Sequence, residues 1–485
     1  MLVDIAPAKS APAARNVADR ACLLLDDVFI QEQNGFNRVW HQGRPSEPVI
    51  VADRPWERWT HLFGSVVYKP GEKVYGMWYE ALDGTRPETL DSLILYAEST
   101  DGLKWTKPEL GLKMIKGSKA NNVVLEKAEL PAVFIDPNAG DPASRMRMVA
   151  WDNSLGVPHG RLRVYRSGDG RAWNPLADAI PEFLVDPAER CPGVRCDTNV
   201  VMWDALAGRY LATYRTYPRH KSGFRDNRRR AVGVTTSSYL LTGWTPITTV
   251  LKADDEDDRR ALAVRPGIKQ AWSELYVMPV FVYGNHYIGL LSLLDFLDGS
   301  DTQPGGGDLQ FAFSHDATAW HRPAPRQSIV PREPGGLVPV YAACGQPIVK
   351  GNELWLYYSE ATSAHPAPGH KAQIRIAKFR VDGFASLNAA DGVALLTTVP
   401  LTFKGGKLHV NFEVPASKEL RVGLLDEKGA PLLGFESEAC DPLSGDQTAQ
   451  TVAWKGKSDL APLKDKTLRL KITMTGGSLY SFRFG

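Results

Sequence analysis

The sequence lacks the features that mark membrane proteins and nucleic-acid-binding proteins. Its 485 residues contain no run of about 18 apolar residues, so neither a transmembrane helix nor a membrane partner is expected. The formal net charge is only +2, because basic and acidic residues are nearly equal in number. Binding to nucleic acid usually requires a basic excess or a basic stripe, so no such partner is expected.

Cysteine is scarce, and its positions suggest neither a disulfide framework nor a metal site. The five cysteines are scattered and odd in number, unlike the paired sets of disulfide-rich secreted domains. Cys191 and Cys196 have no second Cys or His pair near them, so no metal is expected. The N-terminus carries Asp4 and lacks an apolar h-region, so it does not resemble a signal peptide, and we expect a cytoplasmic location unless a leader was removed.

Two motifs of cofactor and esterase chemistry are also missing. The glycine run at 305–307 is not followed by the Lys-Ser/Thr pair that a phosphate-binding loop needs. No Gly-x-Ser-x-Gly nucleophile elbow occurs, which argues against an esterase. We therefore expect no cofactor.

Glycine, proline and tryptophan are plentiful, with 43, 34 and 13 residues, and many of them belong to a repeat. The motif Ser-x-Asp-Gly-x-x-Trp occurs at 99–105 and 167–173, and 314–320 keeps its Ser, Asp and Trp. A weaker copy runs from Thr235 to Trp244, and Val381–Phe384 is a possible fifth. The copies recur about every seventy residues, and Asp-Gly between two apolar runs predicts a tight turn between strands.

Each motif follows a short apolar run and a hairpin, so each repeat predicts about four strands, as in a propeller blade. The fold class we expect is therefore all-β: a five-bladed β-propeller followed by a C-terminal β-sandwich. The pattern changes after about 388, where alternating segments with polar turns predict the sandwich. The expected domains are a flexible arm at 1–21, the propeller at 22–387 and the sandwich at 388–485, with a leftover strand at 23–30 closing the ring.

This arrangement resembles glycoside hydrolase families 32 and 43 and a branch of predicted glycosyl hydrolases related to them. The resemblance rests on the repeated turn together with short segments near it: Leu25-Asp26-Asp27, Met77-Trp78-Tyr79, Lys107 to Leu112, Asp382-Gly383-Phe384 and Leu479 to Phe482. It covers nearly the whole chain from about 22. It implies a five-bladed catalytic propeller acting on glycosides, with its chemistry where the first strand of each blade begins.

Glycoside hydrolysis needs two carboxyl groups flanking one bond, one protonated and one ionised. Acids at predicted first-strand starts are Asp197, Glu274 and Glu57. The interpretation is that Glu274 is the general acid and Asp197 the nucleophile or base, with Glu57 or Glu80 orienting the pair. Asp136 has a tempting Asp-Pro-Asn context but falls at the far end of a first strand, so we interpret it as a turn residue.

Charged or aromatic groups at the other strand ends are candidates for contacts with sugar hydroxyls. The second strand of each blade returns to the same edge, so its last residues approach the same cavity. The candidate substrate-binding residues are His61, Glu80, Asp152, Arg215, Trp272, Glu360 and His365. Two charged runs, Asp254–Arg260 and Arg228–Arg230, are interpreted as solvated loops, the first lacking the spacing of a calcium loop.

The leading functional hypothesis is an exo-acting glycoside hydrolase that takes an oligosaccharide or glycoside ending in a fructo- or arabinofuranoside. One alternative is a sialidase-like enzyme, because the repeated turn resembles the sialidase Asp-box. Another is a carbohydrate-binding propeller without catalysis. A transferase, transglycosylase or phosphorylase using the same pocket is a further alternative.

Overall fold

A computed structural model describes residues 13–82, 92–155, 160–177, 199–220, 227–263, 269–297, 304–332, 336–362, 371–390 and 392–485. Nearly all regular structure in these ranges is β. The chain divides into two compact units. The five-sheet unit holds Gln42–Val282 and His286–Lys378, and the two-sheet unit holds Met1–His41, Tyr283–Asn285 and Phe379–Gly485.

Five antiparallel sheets follow one another along the five-sheet unit, and we number them in chain order. Sheet one contains Trp59–Lys69, Val74–Leu82, Ser92–Ser99 and Val123–Glu126. Sheet two contains Ala128–Ile135, Met146–Asp152, Arg161–Ser167 and Asn174–Ala177. Sheet three contains Asn199–Asp204, Arg209–Thr216, Ala231–Ser237 and Thr248–Leu251.

Sheets four and five follow the same order of strands, with additional short ones. Sheet four contains Ala271–Val277, Val280–Tyr283, His286–Leu297, Pro304–Ser314 and Trp320–His321. Sheet five contains Val338–Ala342, Ile348–Lys350, Glu353–Ala361 and Ala372–Arg380, joined by Arg44–Pro45 and Ile50–Val51 from before sheet one. The outer strand of sheet five is therefore supplied by the chain segment that leads into sheet one.

The repeated motif forms the turn that the sequence predicts. In the first copy Asp101 Oδ1 accepts hydrogen bonds from the backbone N–H of Leu103 and Lys104 at 2.7 and 2.8 Å. Gly102 has a φ of +80°, which a residue with a Cβ rarely adopts. The Trp105 indole N–H returns to the Gly102 carbonyl at 3.1 Å. The 167–173 and 314–320 copies repeat this pattern of bonds.

Hydrogen bonds from aromatic side chains connect these turns to the neighbouring sheet. Tyr357 of sheet five donates to the Gly102 carbonyl at 2.5 Å, and Trp78 of sheet one donates to the Gly170 carbonyl at 2.8 Å. Near the first strands, the Cys344 N–H donates to the Gly64 carbonyl at 2.7 Å. Sheets one and five are thus in direct contact although they are far apart in the sequence.

The two-sheet unit has a different arrangement. One sheet contains Arg15–Ala18, Ile30–Asn34, Ala394–Thr398, Leu401–Phe403, Leu420–Asp426 and Leu468–Met474. The other contains Cys22–Leu23, Phe36–Trp40, Ala385–Ala389, Leu408–Val414, Gly445–Thr451 and Gly477–Phe484. One hydrophobic cluster collects buried residues of both, including Phe403 stacked on Phe484 with ring centroids 4.0 Å apart.

One expectation from the sequence is wrong. The segment 23–30 is not a strand of the five-sheet unit, because Cys22–Leu23 pairs with Gly477–Phe484 and Ile30–Asn34 pairs with Ala394–Thr398. The boundary between the two compact units falls just before Phe379, and the described residues up to His41 belong to the two-sheet unit. The apolar composition of this first segment fits either core equally well, so the sequence alone did not distinguish them.

The acidic run is not a solvated loop. It forms the α-helix Asp255–Ala263, whose start is capped by Asp254 accepting from the Glu256 N–H at 3.0 Å. Short 3-10 turns within the described residues include Pro142–Ser144, Ser437–Ala439 and Ala461–Leu463. Within the described ranges, no helix has the length and apolarity that crossing a membrane requires.

The turn of the 314–320 copy provides a test of the motif's electrostatics. Burial alone would raise the pKa of Asp316, but hydrogen bonds from the backbone N–H groups of Ala319 and Thr318 outweigh burial and lower the pKa to about 2. Because the folded pKa lies below the unfolded value of about 3.9, the stabilisation is full above that value and is lost as pH falls towards 2. We expect Asp316→Asn to lower the free energy of unfolding by about 1 kcal/mol at pH 7 and to match wild type near pH 2.

Urea unfolding at both pH values measures this difference. Trp320→Phe is the uncharged control, because it removes the hydrogen bond from Trp320 Nε1 to the Ala317 carbonyl at 2.8 Å in the same turn without touching the Asp316 carboxylate. Its effect should be the same at both pH values. An Asp316→Asn deficit that persists unchanged at low pH would contradict the electrostatic account.

Candidate functional site

The start of each first strand lies beside the end of each second strand, at the same end of their sheet, as the sequence predicts. In sheet one His61 lies opposite Glu80, and in sheet five Pro339 lies opposite Glu360. In sheet two Ala128 lies opposite Asp152. Antiparallel pairing produces this arrangement, because the second strand returns towards the point where the first begins.

Glu274 is the most deeply buried acid among the predicted site residues. It lies on the first strand of sheet four and has 0% relative exposure. Its Oε2 accepts from Arg230 Nη1 at 2.6 Å and from the Arg230 backbone N–H at 3.3 Å. Its Oε1 accepts from Trp272 Nε1 at 3.3 Å. A buried carboxylate is stable only when it is paired and hydrogen-bonded in this way.

Arg230 comes from sheet three, immediately before its strand Ala231–Ser237. Burial lowers the pKa of Arg230, but the Glu274 carboxylate more than compensates, and the net pKa is raised. The backbone reinforces the pairing, since the Leu275 N–H donates to the Arg230 carbonyl at 3.1 Å. Two adjacent sheets are therefore joined by one ion pair, one hydrogen bond from a backbone N–H to the Glu274 carboxylate and one hydrogen bond between backbone groups.

An aromatic cluster collects side chains from three first strands. Phe63 of sheet one lies 5.8 Å from Tyr276 of sheet four and 4.6 Å from Tyr341 of sheet five, measured between ring centroids. Tyr276 and Tyr341 are 5.9 Å apart. The guanidinium carbons of Arg215 and Arg230 lie 4.5 and 5.8 Å from the Tyr276 ring centroid, within cation–π range.

His61 and Glu80 approach the same cluster from sheet one. His61 Nε2 lies 3.9 Å from Glu80 Oε1, and the His61 ring lies 5.4 Å from that of Tyr341. Burial raises the pKa of Tyr341 well above its ordinary value, and the nearby Tyr276 and Glu80 raise it further, against the opposing effect of Arg215 and Arg230. Glu80 thus lies near this cluster from sheet one, and Glu274 is connected to it from sheet four through Arg230, whose guanidinium lies over the Tyr276 ring.

Glu57, predicted as catalytic, has a different set of partners. Its Oε2 accepts from Lys107 Nζ at 2.7 Å, and its Oε1 accepts from the Tyr79 hydroxyl at 2.6 Å. Lys107 also donates to Asp53 Oδ1 at 2.6 Å. These contacts connect the segment before sheet one to the segment after the first repeated turn. Glu57 thus belongs to a buried ion pair that stabilises the fold, and we leave it out of the proposed catalytic set.

The remaining described candidates have local partners of their own. Asp152 forms an ion pair with Arg163 at 2.8 Å within sheet two. Glu360 accepts from Gln373 Nε2 at 2.5 Å within sheet five. Trp272 stacks on Phe296, with ring centroids 5.5 Å apart, and is only partly buried. Asp197 and His365 lie outside the described residues.

Several residues of the site were missed or misinterpreted in the sequence. Arg228, Arg229 and Arg230 are buried rather than solvated, and Arg229 pairs with Asp258 through two bonds of 2.8 and 3.0 Å. Glu129 was overlooked although it begins sheet two, where it accepts from Asn153 Nδ2 at 2.5 Å. The sequence did contain a signal for these residues, which is their position. Arg228–Arg230 lie immediately before an apolar strand, and Glu129 lies at the start of another.

Asp136 behaves as the sequence interpretation expected. It follows the first strand of sheet two, and its Oδ1 accepts from the Asn138 N–H at 3.0 Å and from the Tyr210 hydroxyl at 2.8 Å. Within either unit taken by itself, the described residues bring no three His, Cys, Asp or Glu side chains within metal-ligand distance of one another.

Comparison with known proteins gives structural similarity only. No family model and no curated protein sequence matches the chain. A putative glycoside hydrolase from Bacteroides ovatus is 15% identical, with 70% of this chain and 97% of that chain covered and a TM-score of 0.44. The β-fructofuranosidase BmSUC1 of glycoside hydrolase family 32 from Bombyx mori is 9% identical, with coverage of 91% and 93% and a TM-score of 0.44.

An N-acetylgalactosamine deacetylase from F. plautii, solved with blood group B trisaccharide, is 14% identical, with coverage of 72% and 97% and a TM-score of 0.43. Solved structures similar to this chain thus include glycoside hydrolases and a deacetylase. At these identities and scores, the substrate and the catalytic residues must be argued from the side chains themselves.

The Arg230–Glu274 pair predicts a pattern of stability changes. Glu274→Gln leaves the Arg230 guanidinium buried without its counter-charge, so we expect a loss of about 3–5 kcal/mol in the free energy of unfolding. Replacing both residues, as Arg230→Met with Glu274→Gln, should recover most of this loss because no uncompensated charge remains. Denaturant unfolding of the two single variants and the double variant measures the coupling.

Glu98→Gln is the matched control, because Glu98 accepts from Arg171 Nη2 at the same 2.6 Å but is partly exposed. We expect it to cost at most about 1 kcal/mol. Equal losses for Glu98→Gln and Glu274→Gln would contradict the view that the Glu274 carboxylate is a buried, obligatory partner.

Proposed function

We propose that this protein is a glycoside hydrolase that removes a terminal furanoside, fructo- or arabinofuranoside, from an oligosaccharide or glycoside. The observation that carries the proposal is that carboxyl groups from sheets one and four are both connected to one aromatic cluster, Glu80 beside Tyr341 and Glu274 through Arg230. Hydrolysis of a glycosidic bond needs two such groups. Buried aromatic rings and arginines around them provide the apolar faces and donors that a sugar ring requires.

We also propose that the five sheets close into a five-bladed propeller and that the two-sheet unit is a β-sandwich. In support, the first strands of all five sheets contribute to one hydrophobic cluster, including Phe63, Leu130, Val200, Val277 and Tyr341. The hydrogen bond between Cys344 and Gly64 joins the last sheet to the first. In such an arrangement, the strand ends that carry Glu80 and Glu274 would face a single site on the propeller axis.

The contacts of Glu274 favour a role different from the one the sequence suggested. A guanidinium at 2.6 Å stabilises a negatively charged carboxylate, which suits a nucleophile, a base or a stabiliser of positive charge better than a proton donor. We therefore propose Glu274 as the ionised member of the pair. Trp272, which donates to its other oxygen and is partly exposed, marks the side from which a sugar would approach.

Glu80 is our candidate for the proton-transferring group, assisted by His61. Its Oε1 lies 3.9 Å from Nε2 of the His61 imidazole, which places a second titratable group beside the candidate acid. Asp197, the nucleophile or base suggested by the sequence, is the alternative second carboxylate.

A carbohydrate-binding propeller without catalysis is the second candidate, and one observation favours it. Glu274 has 0% exposure and both of its oxygens accept hydrogen bonds from protein groups. A carboxylate held in this way can serve the structure alone. The two candidates differ in whether the bound sugar is cleaved, so the activity of carboxylate variants separates them.

An activity screen tests the proposal. Wild-type protein should hydrolyse at least one aryl α- or β-furanoside of arabinose or fructose. Glu274→Gln and Glu80→Gln should each lower kcat/KM by at least about a hundredfold, the usual loss when a positioned acid, base or nucleophile is removed. Asp197→Asn belongs in the same assay, and a loss as large as that of Glu274→Gln would make Asp197 the second carboxylate.

The controls separate chemistry from folding. Glu98→Gln should retain wild-type activity, and the fold of each variant is checked by circular dichroism. Binding of a furanoside without cleavage by wild-type protein would support the carbohydrate-binding alternative. Full activity of correctly folded Glu274→Gln would overturn the assignment.

A further inference from the structure

The helix Asp255–Ala263 is anchored by several arginine–aspartate ion pairs. Arg322 holds Asp257 through two bonds of 2.7 Å, and Arg326 holds Asp254 through two bonds of 2.6 Å. Both pairs lie at the beginning of the helix. Asp258 differs from these two acids, because it contacts the residues that directly precede Arg230 and Glu274 in the chain.

Asp258 holds two separate chain segments with one carboxylate. Its Oδ1 and Oδ2 accept from Arg229 Nη1 and Nη2 at 2.8 and 3.0 Å. Its Oδ1 also accepts from the backbone N–H of Ser273 at 3.0 Å. A bidentate guanidinium–carboxylate pair has a fixed geometry, so Asp258 defines the distance between these segments.

The two segments continue directly into the buried ion pair. Arg229 precedes Arg230, and Ser273 precedes Glu274. Ser273 has further partners, since its Oγ lies 3.1 Å from the Asp257 carbonyl and 2.8 Å from Asp295 Oδ1, and its one hydroxyl proton can donate to either acceptor. The helix thus fixes the backbone immediately before each member of the pair.

We propose that Asp258 is a positioning residue that sets the geometry of Arg230 and Glu274 from the helix behind them. The inference rests on the proposed function for its effect on catalysis. The structural part of the inference, that Asp258 fixes the geometry of the ion pair, does not depend on the substrate. An error of about 1 Å in the placement of a catalytic group can cost about a hundredfold in rate, so a positioning residue has a measurable effect without touching the sugar.

The bidentate pair between Asp258 and Arg229 acts as a clamp, and two variants remove this clamp in different ways. Asp258→Asn removes the charge that holds Arg229 but keeps one side-chain oxygen. Arg229→Lys keeps the positive charge but cannot form the two parallel bonds, so it tests the geometry in a second way if Asp258→Asn folds poorly. Asp254→Asn is the matched control, because it disrupts a bidentate arginine pair at the same helix while asparagine remains a good helix cap.

The first measurement is hydrogen–deuterium exchange of the full-length protein, which needs no substrate. Asp258→Asn and Arg229→Lys should increase exchange about tenfold or more in peptides covering 229–232 and 272–276, since the amides of Arg230, Ser273 and Leu275 are fixed by these contacts. Asp254→Asn should leave both peptides unchanged. Unchanged exchange in both clamp variants would overturn the proposal, whatever the substrate is.

The second measurement uses the substrate found in the activity screen. Both clamp variants should lower kcat by about tenfold to a hundredfold with KM within about twofold of wild type, whereas Asp254→Asn should retain wild-type kcat. Unchanged kcat in the clamp variants would overturn the catalytic part of the proposal. If wild-type protein cleaves no glycoside, the proposed function fails, while the exchange experiment still decides whether Asp258 fixes the ion pair.

Discussion

The ion pair between Arg230 and Glu274 is the constraint on which the proposed site depends. A carboxylate with no exposed surface costs a large free energy unless charged and polar partners compensate it, and for Glu274 the charged partner is the Arg230 guanidinium. This requirement links sheet three to sheet four. It also links both to the helix Asp255–Ala263, because the residues before Arg230 and Glu274 are held by Asp258. Folding and the candidate chemistry therefore share the same contacts.

The repeated turn produces the framework that brings these residues together. Each complete copy folds on itself through the Asp side chain and the returning Trp, and aromatic residues of the neighbouring sheet bind the carbonyls of two of these turns. The first strands then contribute Phe63, Tyr276 and Tyr341 to one cluster. Local hydrogen bonds thus place residues that are more than two hundred positions apart in contact.

The sequence predicted those structural features that depend on a local pattern of residues. The turns, the hairpins and the opposition of His61 and Glu80 follow from short motifs and alternation. It could not predict partners that are distant in the chain: Arg230 and Glu274 are 44 residues apart, and Glu57 and Lys107 are 50 apart. Charged runs such as Arg228–Arg230 look solvated in isolation. Only the fold shows that Arg229 and Arg230 each have an acid opposite them, Asp258 and Glu274.

The central claim is that the cluster between Glu80 and Glu274 binds a terminal sugar. A crystal structure of the protein soaked with a pyrrolidine iminosugar shaped like a protonated arabinofuranose tests it most directly. The account predicts that the iminosugar ring lies against Trp272 or Tyr276, with its ammonium group within hydrogen-bond distance of a carboxylate of Glu274 or Glu80. Density for the iminosugar only elsewhere in the five-sheet unit, with the cluster unchanged and empty, would contradict it.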